Sequence, residues 1–224
     1  MKRYALIDVS NTKETTKAVF DFSIDWEKMM NFLRNDKWQC KDIVYYEGRT
    51  GDKKFDNLHS KLELLGYEVR TKQTFFQKNK DRAVRFICPN CSQENCFDEY
   101  SFDCLNCSQQ KLITLNNKGT HPKANFDVEI TADALNYAGS DSTIILFTGD
   151  GDFCYLAEKL IKAGALVIFV STFRETIKDR RKRFSTRLKD LLTEEEKRAT
   201  KLGEKPRVRF LEIDNFRYLI CKDE

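Results

Sequence analysis

The chain has 224 residues, of which 41% are hydrophobic and 33% are charged, and its net charge at neutral pH is +4. This composition is sufficient for a sizeable apolar core and excludes disorder throughout the chain. The apolar runs IILF and ALVIFV are too short to span a bilayer, and the first residues lack the apolar stretch of a signal peptide. We therefore expect a protein of the cytoplasm.

The first third of the chain alternates short apolar segments with helical patterns. YALIDV predicts a buried strand that ends at Asp8 in a polar loop, and KDIVYYEG and YEVRTKQ predict two further strands. Helices are predicted at 23–33 and 54–65, and His59 is expected on an exposed helix face. This alternation is typical of a parallel sheet with right-handed crossovers.

The pattern breaks between residues 74 and 123, in a polar stretch that contains two CxxC pairs, and then resumes. A helix at 126–138, the strand TIILFT, a helix at 152–163 and the strand ALVIFVS follow. Residues 1–73 and 124–224 are thus predicted to form one discontinuous α/β domain, into which 74–123 is inserted. Farther on, TEEEKRATKLGEKP is expected to be a solvated linker, with RVRFLEI and FRYLI as edge strands.

Aspartates are predicted to converge at the carboxyl edge of this sheet. Asp8 ends the first strand, and Asp150 and Asp152 follow TIILFT, at the kind of edge where open parallel sheets bind ligands. Asp127 opens the preceding helix, whose small and apolar face would direct this side chain into the same crevice. Carboxylates so close raise one another's pKa unless a cation neutralises them, and an oxygen-only site favours Mg²⁺ or Mn²⁺.

Each aspartate also has a plainer explanation, since Asp at a strand end or a helix start is commonly a turn former or a cap. Asp152 in particular is explained equally well as a cap. For Asp8, the agreement of three separate acidic loops with one geometry favours a metal site. The chain has only two histidines, His59 and His121, which argues against a histidine acid and base pair.

Three segments, YALIDVSN, KANFDVEITADAL and FTGDGDF, resemble in order and spacing the signature segments of the NYN domain, a branch of the PIN-like nucleases. The resemblance covers nearly all of the chain outside the cysteine insert and the C-terminal strands. It implies a PIN-like three-layer α/β/α sandwich with a mostly parallel sheet, and a metal-dependent ribonuclease of the endonuclease type. The metal ligands that it implies are Asp8, Asp127 and Asp150. Asp152 and Asn11 are implied as further catalytic residues, and Asn11 would orient the loop or the scissile phosphate.

Two positions depart from the family pattern. Val9 stands where many relatives have glycine, and Gly151 stands where many have serine. A catalytically weak or inactive RNA-binding or adaptor protein of the same fold is therefore the alternative. A phosphatase with Asp8 as covalent nucleophile is a weaker one, because such sites need a second acid two residues on, where this chain has Ser10. In the leading hypothesis, a cation lowers the pKa of a bound water and offsets charge on the phosphodiester.

The motifs CPNC and CLNC each present two thiols from a tight turn, which is half of a tetrahedral zinc site. The predicted ligands of a structural zinc ribbon are Cys88, Cys91, Cys104 and Cys107. Two chance pairs of buried cysteines are the alternative, although a polar insert of this size would lack a core without the metal. We expect the insert to contact nucleic acid, a protein partner or a second copy of the chain.

A strongly basic segment lies near the end of the chain. Residues 174–189 contain eight basic and two acidic residues, a net charge of +6, which suits a phosphate backbone. The residues predicted to contact nucleic acid are Lys123, Arg180, Arg181, Lys182 and Arg183. RNA, single-stranded or structured, is the expected partner, DNA remains open, and no membrane partner is expected. A solvated charged helix face is the plainer alternative.

Overall fold

The computed structural model describes residues 1–49, 53–78, 84–97, 99–114, 120–176 and 180–223. They separate into two compact units, one formed by 1–73 with 124–224 and the other by 74–123.

The larger unit begins with three strands and three helices. They are β1 (Lys2–Asp8), α1 (Val9–Phe20), α2 (Trp26–Arg34), β2 (Cys40–Arg49), α3 (Lys53–Leu64) and β3 (Glu68–Gln73). The polar loop predicted after Asp8 is instead the helix α1. Its amino end is capped by the Asp8 side chain, whose Oδ1 accepts a hydrogen bond from the Asn11 amide at 3.0 Å.

The described residues of the smaller unit form three antiparallel strand pairs. Its strands are β4 (Phe75–Lys78), β5 (Val84–Ile87), β6 (Glu94–Phe97), β7 (Glu99–Asp103), β8 (Gln110–Thr114) and β9 (Thr120–Lys123). Strand β4 pairs with β9, β5 with β6, and β7 with β8. In the first pair Phe75 lies opposite Lys123, so the two ends of this unit form a stem.

The larger unit then resumes and continues to the end of the described chain. Its further elements are α4 (Asp127–Tyr137), β10 (Ser142–Phe147), a 3-10 turn (Gly151–Phe153), α5 (Cys154–Lys162), β11 (Leu166–Ser171), α6 (Thr186–Leu202), β12 (Val208–Glu212), a second 3-10 turn (Ile213–Phe216) and α7 (Arg217–Ile220).

Two predictions for the last fifth of the chain are wrong. The segment expected to be a solvated linker lies mostly in α6, where Leu188 and Ala199 are buried. Glu195 is buried as well, because Arg198 donates two hydrogen bonds to its carboxylate. The segment FRYLI, expected to be a strand, spans the end of the second 3-10 turn and the short helix α7, whereas the predicted edge strand β12 is present.

The six strands of the larger unit form one sheet in the order β12-β11-β10-β1-β2-β3, and all neighbouring pairs are parallel. Side chains alternate across it: Ala5 and Ile7 of β1 pack in one apolar cluster with α1, α2, α3 and α7, whereas Tyr4 and Leu6 pack in another with α4, α5 and α6. Helices thus cover both faces, and the predicted three-layer α/β/α sandwich is confirmed.

The strand order places β1 and β10 side by side at the centre, with Ile7 opposite Phe147. From β1 the chain adds strands to one side, and from β10 it adds them to the other. The loops that follow these two strands therefore leave the sheet in different directions and open a crevice at their carboxyl ends. Asp8 and Asp150 both lie at this edge.

Among the residues that the structure describes, no helix combines the length and the apolar character needed to cross a membrane.

Candidate active site

Asp8 is the last residue of the central strand β1 and lies opposite Tyr46 of β2. Its Oδ1 is occupied by the helix cap, and a carboxylate has a second oxygen that can bind a ligand. The cap interpretation and the site interpretation of Asp8 are therefore compatible. Thr12, one turn into α1, donates from its hydroxyl to the backbone oxygens of Asp8 at 2.6 Å and Phe147 at 3.1 Å, which joins the ends of both central strands.

Asp127 is the first residue of α4 and is held by a reciprocal contact with Asn125. The Asp127 amide donates to Asn125 Oδ1 at 2.7 Å, and Asn125 Nδ2 donates to Asp127 Oδ2 at 2.8 Å. As the sequence predicted, the helix lies on the sheet through small and apolar residues, with Ile130 and Ala134 buried. Asp133 accepts a hydrogen bond from the Tyr46 hydroxyl at 2.7 Å and so fixes α4 on β2.

Asp150 follows β10 and caps the 3-10 turn after it. Its Oδ1 accepts from the Asp152 amide at 3.0 Å, so the capping residue is Asp150 rather than Asp152. The Asp152 side chain is exposed, and its Oδ1 lies 4.0 Å from Arg187 Nη1. Asp150 is exposed as well, which leaves its carboxylate open to a ligand from solvent.

Asn11 connects the two acidic loops. Its side-chain Oδ1 accepts from the Gly149 amide at 3.3 Å, immediately before Asp150, while its own amide caps α1 on Asp8. The sequence left open whether Asn11 orients the loop or a phosphate. In the structure its side-chain oxygen orients the loop.

The three carboxylates share one electrostatic neighbourhood. Burial is the main reason why the pKa of Asp8 rises to about 6, and the negative charges of Asp127 and Asp150 raise it as well. The Asn11 amide and the Arg183 cation act in the opposite direction on the pKa of Asp8. Asp8 is thus a carboxylate whose charged form lacks a sufficient counter-charge.

The donor set suits a divalent cation that is bound partly through water. Within the described part of the chain, no three or more His, Cys, Asp or Glu side chains form a ready-made metal-binding group. Mg²⁺ commonly keeps several waters and is held by only one or two carboxylates together with phosphate oxygens of the substrate. The partly buried Asp8 and the exposed Asp150 fit that description, and Asp127 is near enough to add its charge.

Arg183, expected to contact a phosphate backbone, is instead committed to internal partners. Its side chain is only 6% exposed, and Nε donates to Thr15 Oγ1 at 3.1 Å while Nη2 donates to the Asn11 backbone oxygen at 3.2 Å. Nη1 lies 3.1 Å from the Glu14 carboxylate. A buried guanidinium needs such partners, and these attach the segment before α6 to the first turns of α1.

Gly149 and Gly151 allow that segment to approach the Asp150 loop closely. A Cβ on residue 149 would lie 1.8 Å from the Arg183 backbone oxygen, and a Cβ on residue 151 would lie 2.3 Å from Ser185 Oγ. The Ser185 amide donates to the Gly149 oxygen at 2.9 Å, which fixes the contact. The family departure at Gly151 thus has a local explanation, because the Ser185 hydroxyl occupies the space of a side chain there.

A cavity of about 400 Å³ lies between the Asp150 loop and the amino end of α6. It is open to solvent, and acidic, basic and hydroxyl side chains all contribute to its surface. The lining residues are Asn11, Gly149, Asp150, Gly151, Asp152, Lys182, Arg183, Ser185, Thr186 and Arg187.

The other residues predicted to bind nucleic acid differ in their surroundings. Lys182 lines the cavity, whereas Arg180 Nε donates to Glu175 at 3.2 Å and Arg181 Nη1 lies 3.6 Å from Glu14. Lys123 ends β9, but its side chain lies outside what the structure describes. Arg187, which was not among the predicted contacts, belongs to the same basic segment and lines the cavity.

In the smaller unit, the first CxxC pair forms a tight turn between β5 and β6. The Cys88 amide donates to the Gln93 oxygen at 2.9 Å, and the Ser92 amide donates to the Cys88 oxygen at 2.8 Å. Ser92 adopts a left-handed conformation with φ of 56°. Hydrogen bonds from the backbone of Cys91 and Asn90 lower the pKa of the Cys88 thiol, which favours the thiolate that binds metals.

The second pair repeats this turn between β7 and β8. The Cys104 amide donates to the Gln109 oxygen at 3.0 Å, the Ser108 amide donates to the Cys104 oxygen at 2.8 Å, and φ of Ser108 is 55°. Hydrogen bonds from the backbone of Asn106 and Cys107 lower the pKa of the Cys104 thiol. Both turns have the sequence CxNCSQ, a repeat that the cysteine spacing alone does not reveal.

The structure shows two matching CxxC turns and, among the described residues, does not bring their cysteines together. All four cysteines lie in the described part of the chain, where no group of three or more metal-ligating side chains is assembled. Each half-site suits a soft thiolate-binding cation such as Zn²⁺, because it presents a thiol with a lowered pKa beside a second thiol.

The prediction that His59 is exposed is wrong. His59 is buried, and its Nε2 lies 3.3 Å from Glu47 Oε2. The buried Glu47 also accepts a hydrogen bond from the Tyr45 hydroxyl at 2.9 Å and pairs with Lys13. This cluster joins α3 and α1 to β2, so the role of His59 is structural. His121 lies in β9, and its side chain is outside the described residues.

Comparisons with known proteins agree with this fold. Residues 93–191 match the model of the NYN domain. This match includes Asp127, Asp150 and Asp152 and supports the resemblance seen in the sequence, and with the parallel sheet it supports a PIN-like nuclease fold. Proteins with such domains are generally nucleases and typically use divalent metals.

Solved structures add information on the fold alone. The crystal structure of a protein of unknown function from Vibrio parahaemolyticus aligns with a TM-score of 0.55 and 20% identity, covering 96% of this chain and 93% of that chain. A TarM mutant from S. aureus aligns with a TM-score of 0.34 and 10% identity, over 88% of this chain and 56% of that one, which is too distant to carry an argument. No curated protein matches the chain.

Proposed function

We propose that this protein is a divalent-metal-dependent endoribonuclease whose catalytic centre is formed by Asp8, Asp127 and Asp150. The observation that carries the proposal is the position of Asp8 and Asp150 at the carboxyl ends of the two central strands, β1 and β10, where the sheet opens a crevice. The raised pKa of Asp8, caused mainly by burial and also by the charges of Asp127 and Asp150, is consistent with it. Such a group gains a counter-charge when a cation binds. The NYN match spans residues 93–191, which include Asp127 and Asp150 but not Asp8, and supports a nuclease-like fold around those two residues.

The residues of this chain would hold and orient the reactants. Asp8 and Asp150 would hold Mg²⁺ or Mn²⁺, Asp127 would add charge or a water-mediated contact, and Asn11 would keep the Asp150 loop in place. The bound cation would supply an activated water and offset the charge that builds up on the phosphodiester. Asp152, which is exposed beside Asp150, would contact water or the substrate at the entrance of the site.

Labelled RNA and DNA of the same sequence, incubated with Mg²⁺, Mn²⁺ or EDTA, test the proposal. We expect cleavage of RNA with either metal, no cleavage in EDTA, and loss of activity in Asp8→Asn but not in the exposed control Asp36→Asn. Cleavage that survives both EDTA and Asp8→Asn would contradict it.

An RNA-binding or adaptor protein of the same fold is the second candidate. It is favoured by the finding that the described residues contain no ready-made group of three metal ligands. Binding of RNA without cleavage under either metal would support this candidate.

We also propose that the smaller unit is a zinc ribbon in which one Zn²⁺ joins the two CxNCSQ turns. The support is the repeated geometry of the turns and the lowered pKa of Cys88 and Cys104. With four thiolate ligands the site would be closed, and its role would be to stabilise the unit. The protein would act in the cytoplasm, where thiols stay reduced. The unit would also offer a surface to RNA, a protein partner or a second copy.

A further inference from the structure

The cavity beside Asp150 has two chemically different sides. Asp150 and Asp152 contribute carboxylates from the loop after β10, whereas Lys182, Ser185 and Arg187 contribute cations and a hydroxyl from α6 and the segment before it. A ligand that contacts both sides must present a negative group to the cations. It must not bring a further negative charge to the carboxylates unless a cation neutralises that charge. A nucleic-acid strand with its scissile phosphate at the metal and another phosphate at the cations meets this requirement.

Among the residues that the structure describes, neither cation has a close ion-pair partner. The Arg187 side chain is 73% exposed, and its distance of 4.0 Å from Asp152 is too long for a hydrogen bond. Lys182 is exposed as well, and an isolated backbone bridge between Glu175 and Lys182 holds its position in the chain. Both side chains can therefore turn towards an anion at small cost.

The amino end of α6 carries basic side chains. Its first turn contains Arg187 and no acidic residue. Because the amino end of a helix carries a partial positive charge, a cation there is unfavourable unless an anion accompanies it. An anion in the cavity would compensate both the helix end and the two side chains.

Ser185 adds a hydroxyl donor at this end of the cavity. Its Oγ accepts a hydrogen bond from the Arg187 amide at 3.3 Å, so the hydroxyl proton remains for donation to a ligand. The absence of a side chain at Gly151 leaves this hydroxyl room. The Ser185 amide bond to Gly149 and the Ser171 hydroxyl bond to the Arg183 oxygen, at 3.2 Å, hold the surrounding backbone in place.

From these observations we propose that Lys182, Ser185 and Arg187 form a subsite for a phosphate group of single-stranded nucleic acid, distinct from the phosphate that is cleaved. The inference rests on the proposed function, because it takes the strand to pass the aspartates. Of the basic run 180–183 it keeps Lys182 as a contact with the backbone and leaves out Arg183, which is buried, and Arg180, which is paired with Glu175.

Fluorescence anisotropy with a labelled single-stranded 12-mer tests the subsite, with RNA and DNA arms of the same sequence, in EDTA so that no cleavage occurs. Lys182→Gln and Arg187→Gln are compared with Arg180→Gln, which removes the same charge from the same segment. We expect each cavity variant to weaken binding about tenfold, the usual effect of losing a hydrogen bond to a charged group. In each cavity variant, the magnitude of the negative slope of log affinity against log salt should decrease by about 0.7. Arg180→Gln should change the affinity by less than about twofold.

Equal losses in RNA and DNA would support a phosphate contact, since both strands share that group. A loss confined to RNA would overturn it in favour of contacts to the sugar or bases. An equal effect of Arg180→Gln, or no effect of the cavity variants, would also overturn it. Metal-dependent cleavage with unchanged binding in these variants would reject the subsite alone. If wild type does not cleave with either metal but the cavity variants bind the 12-mer more weakly than wild type, the nuclease proposal alone is rejected.

Discussion

The Arg183 guanidinium donates from Nη2 to the backbone oxygen of Asn11, at 3.2 Å, and so links the segment before α6 to the first turn of α1. That turn is capped by Asp8, whose pKa the same cation lowers. One buried side chain thus contributes both to the position of the acidic loops and to the electrostatics of the central carboxylate.

Replacing Arg183 by methionine should lower the free energy of unfolding by about 2 kcal/mol, because it removes the hydrogen bonds that Arg183 donates to the Asn11 oxygen and the Thr15 hydroxyl. Urea denaturation provides the measurement. Arg180→Met, which changes an exposed arginine nearby, should cost less than about 0.5 kcal/mol. Similar losses in both variants would show that the internal contacts of Arg183 do not stabilise the fold.

Asp8→Asn should change how stability depends on pH in the metal-free protein. The pKa of Asp8 is raised from 3.8 to about 6 in the folded state, mainly by burial. The folded protein therefore binds the proton of the Asp8 carboxyl group more tightly than the unfolded chain does. Stability contributed by the proton is present below pH 3.8 and is lost as the pH rises through 6. Above that pH the variant should be more stable by up to about 3 kcal/mol.

Chemical denaturation in EDTA from pH 4 to 8 tests this expectation, with Asp36→Asn as the control. The variant should also lose metal-dependent cleavage, so stability and activity should move in opposite directions. If wild type and Asp8→Asn show the same dependence on pH, the Asp8 carboxylate is not destabilised in the fold.

Gly149→Ala and Gly151→Ala should both lower stability, but only the second should be rescued by Ser185→Gly. At residue 151 the new Cβ meets the Ser185 side chain, so Gly151→Ala should cost about 1–3 kcal/mol and the added Ser185→Gly should recover most of it. Glycine at the cap itself costs only a few tenths of a kcal/mol. At residue 149 the new Cβ meets the backbone oxygen of Arg183, so Ser185→Gly should not rescue Gly149→Ala. Thermal unfolding of the single and double variants measures both effects, and additive losses at residue 151 would contradict the contact.

The purified protein should contain one zinc ion per chain by elemental analysis. Cys88→Ser and Cys104→Ser should each remove it, because they break different halves of one site. Cys154→Ser, outside the smaller unit, should leave the zinc content unchanged. Retention of zinc by either half-site variant, or absence of zinc from wild type, would contradict the ribbon.

The sheet and the placement of the acids could be predicted because they depend on local patterns. Asp8 ends a buried apolar run and Asp150 follows another after two residues, and the alternation of strands and helices indicates a parallel sheet. The course of the loops was less predictable. The segment of helix α1 contains several threonines, a composition that is more typical of a loop than of a helix. In the structure, Thr12 is stabilised by a hydrogen bond to the backbone oxygen of Phe147, 135 residues away.

The failures at α6 and His59 have a common physical cause. In α6 the charged residues obscure the helical period, and the buried Glu195 is acceptable only because Arg198 neutralises it. His59 is buried because Glu47, on β2, offers a partner. Polar groups enter the interior when a partner compensates the cost, and a single sequence does not show which residues become partners.

The stem formed by β4 and β9 means that the chain enters and leaves the smaller unit at neighbouring points, with Phe75 opposite Lys123. A short turn from Gln73 to Ala124 can therefore replace fifty residues without shifting the register of any strand in the parent sheet. Exchange of the unit for another would need one junction after Gln73 and one before Ala124.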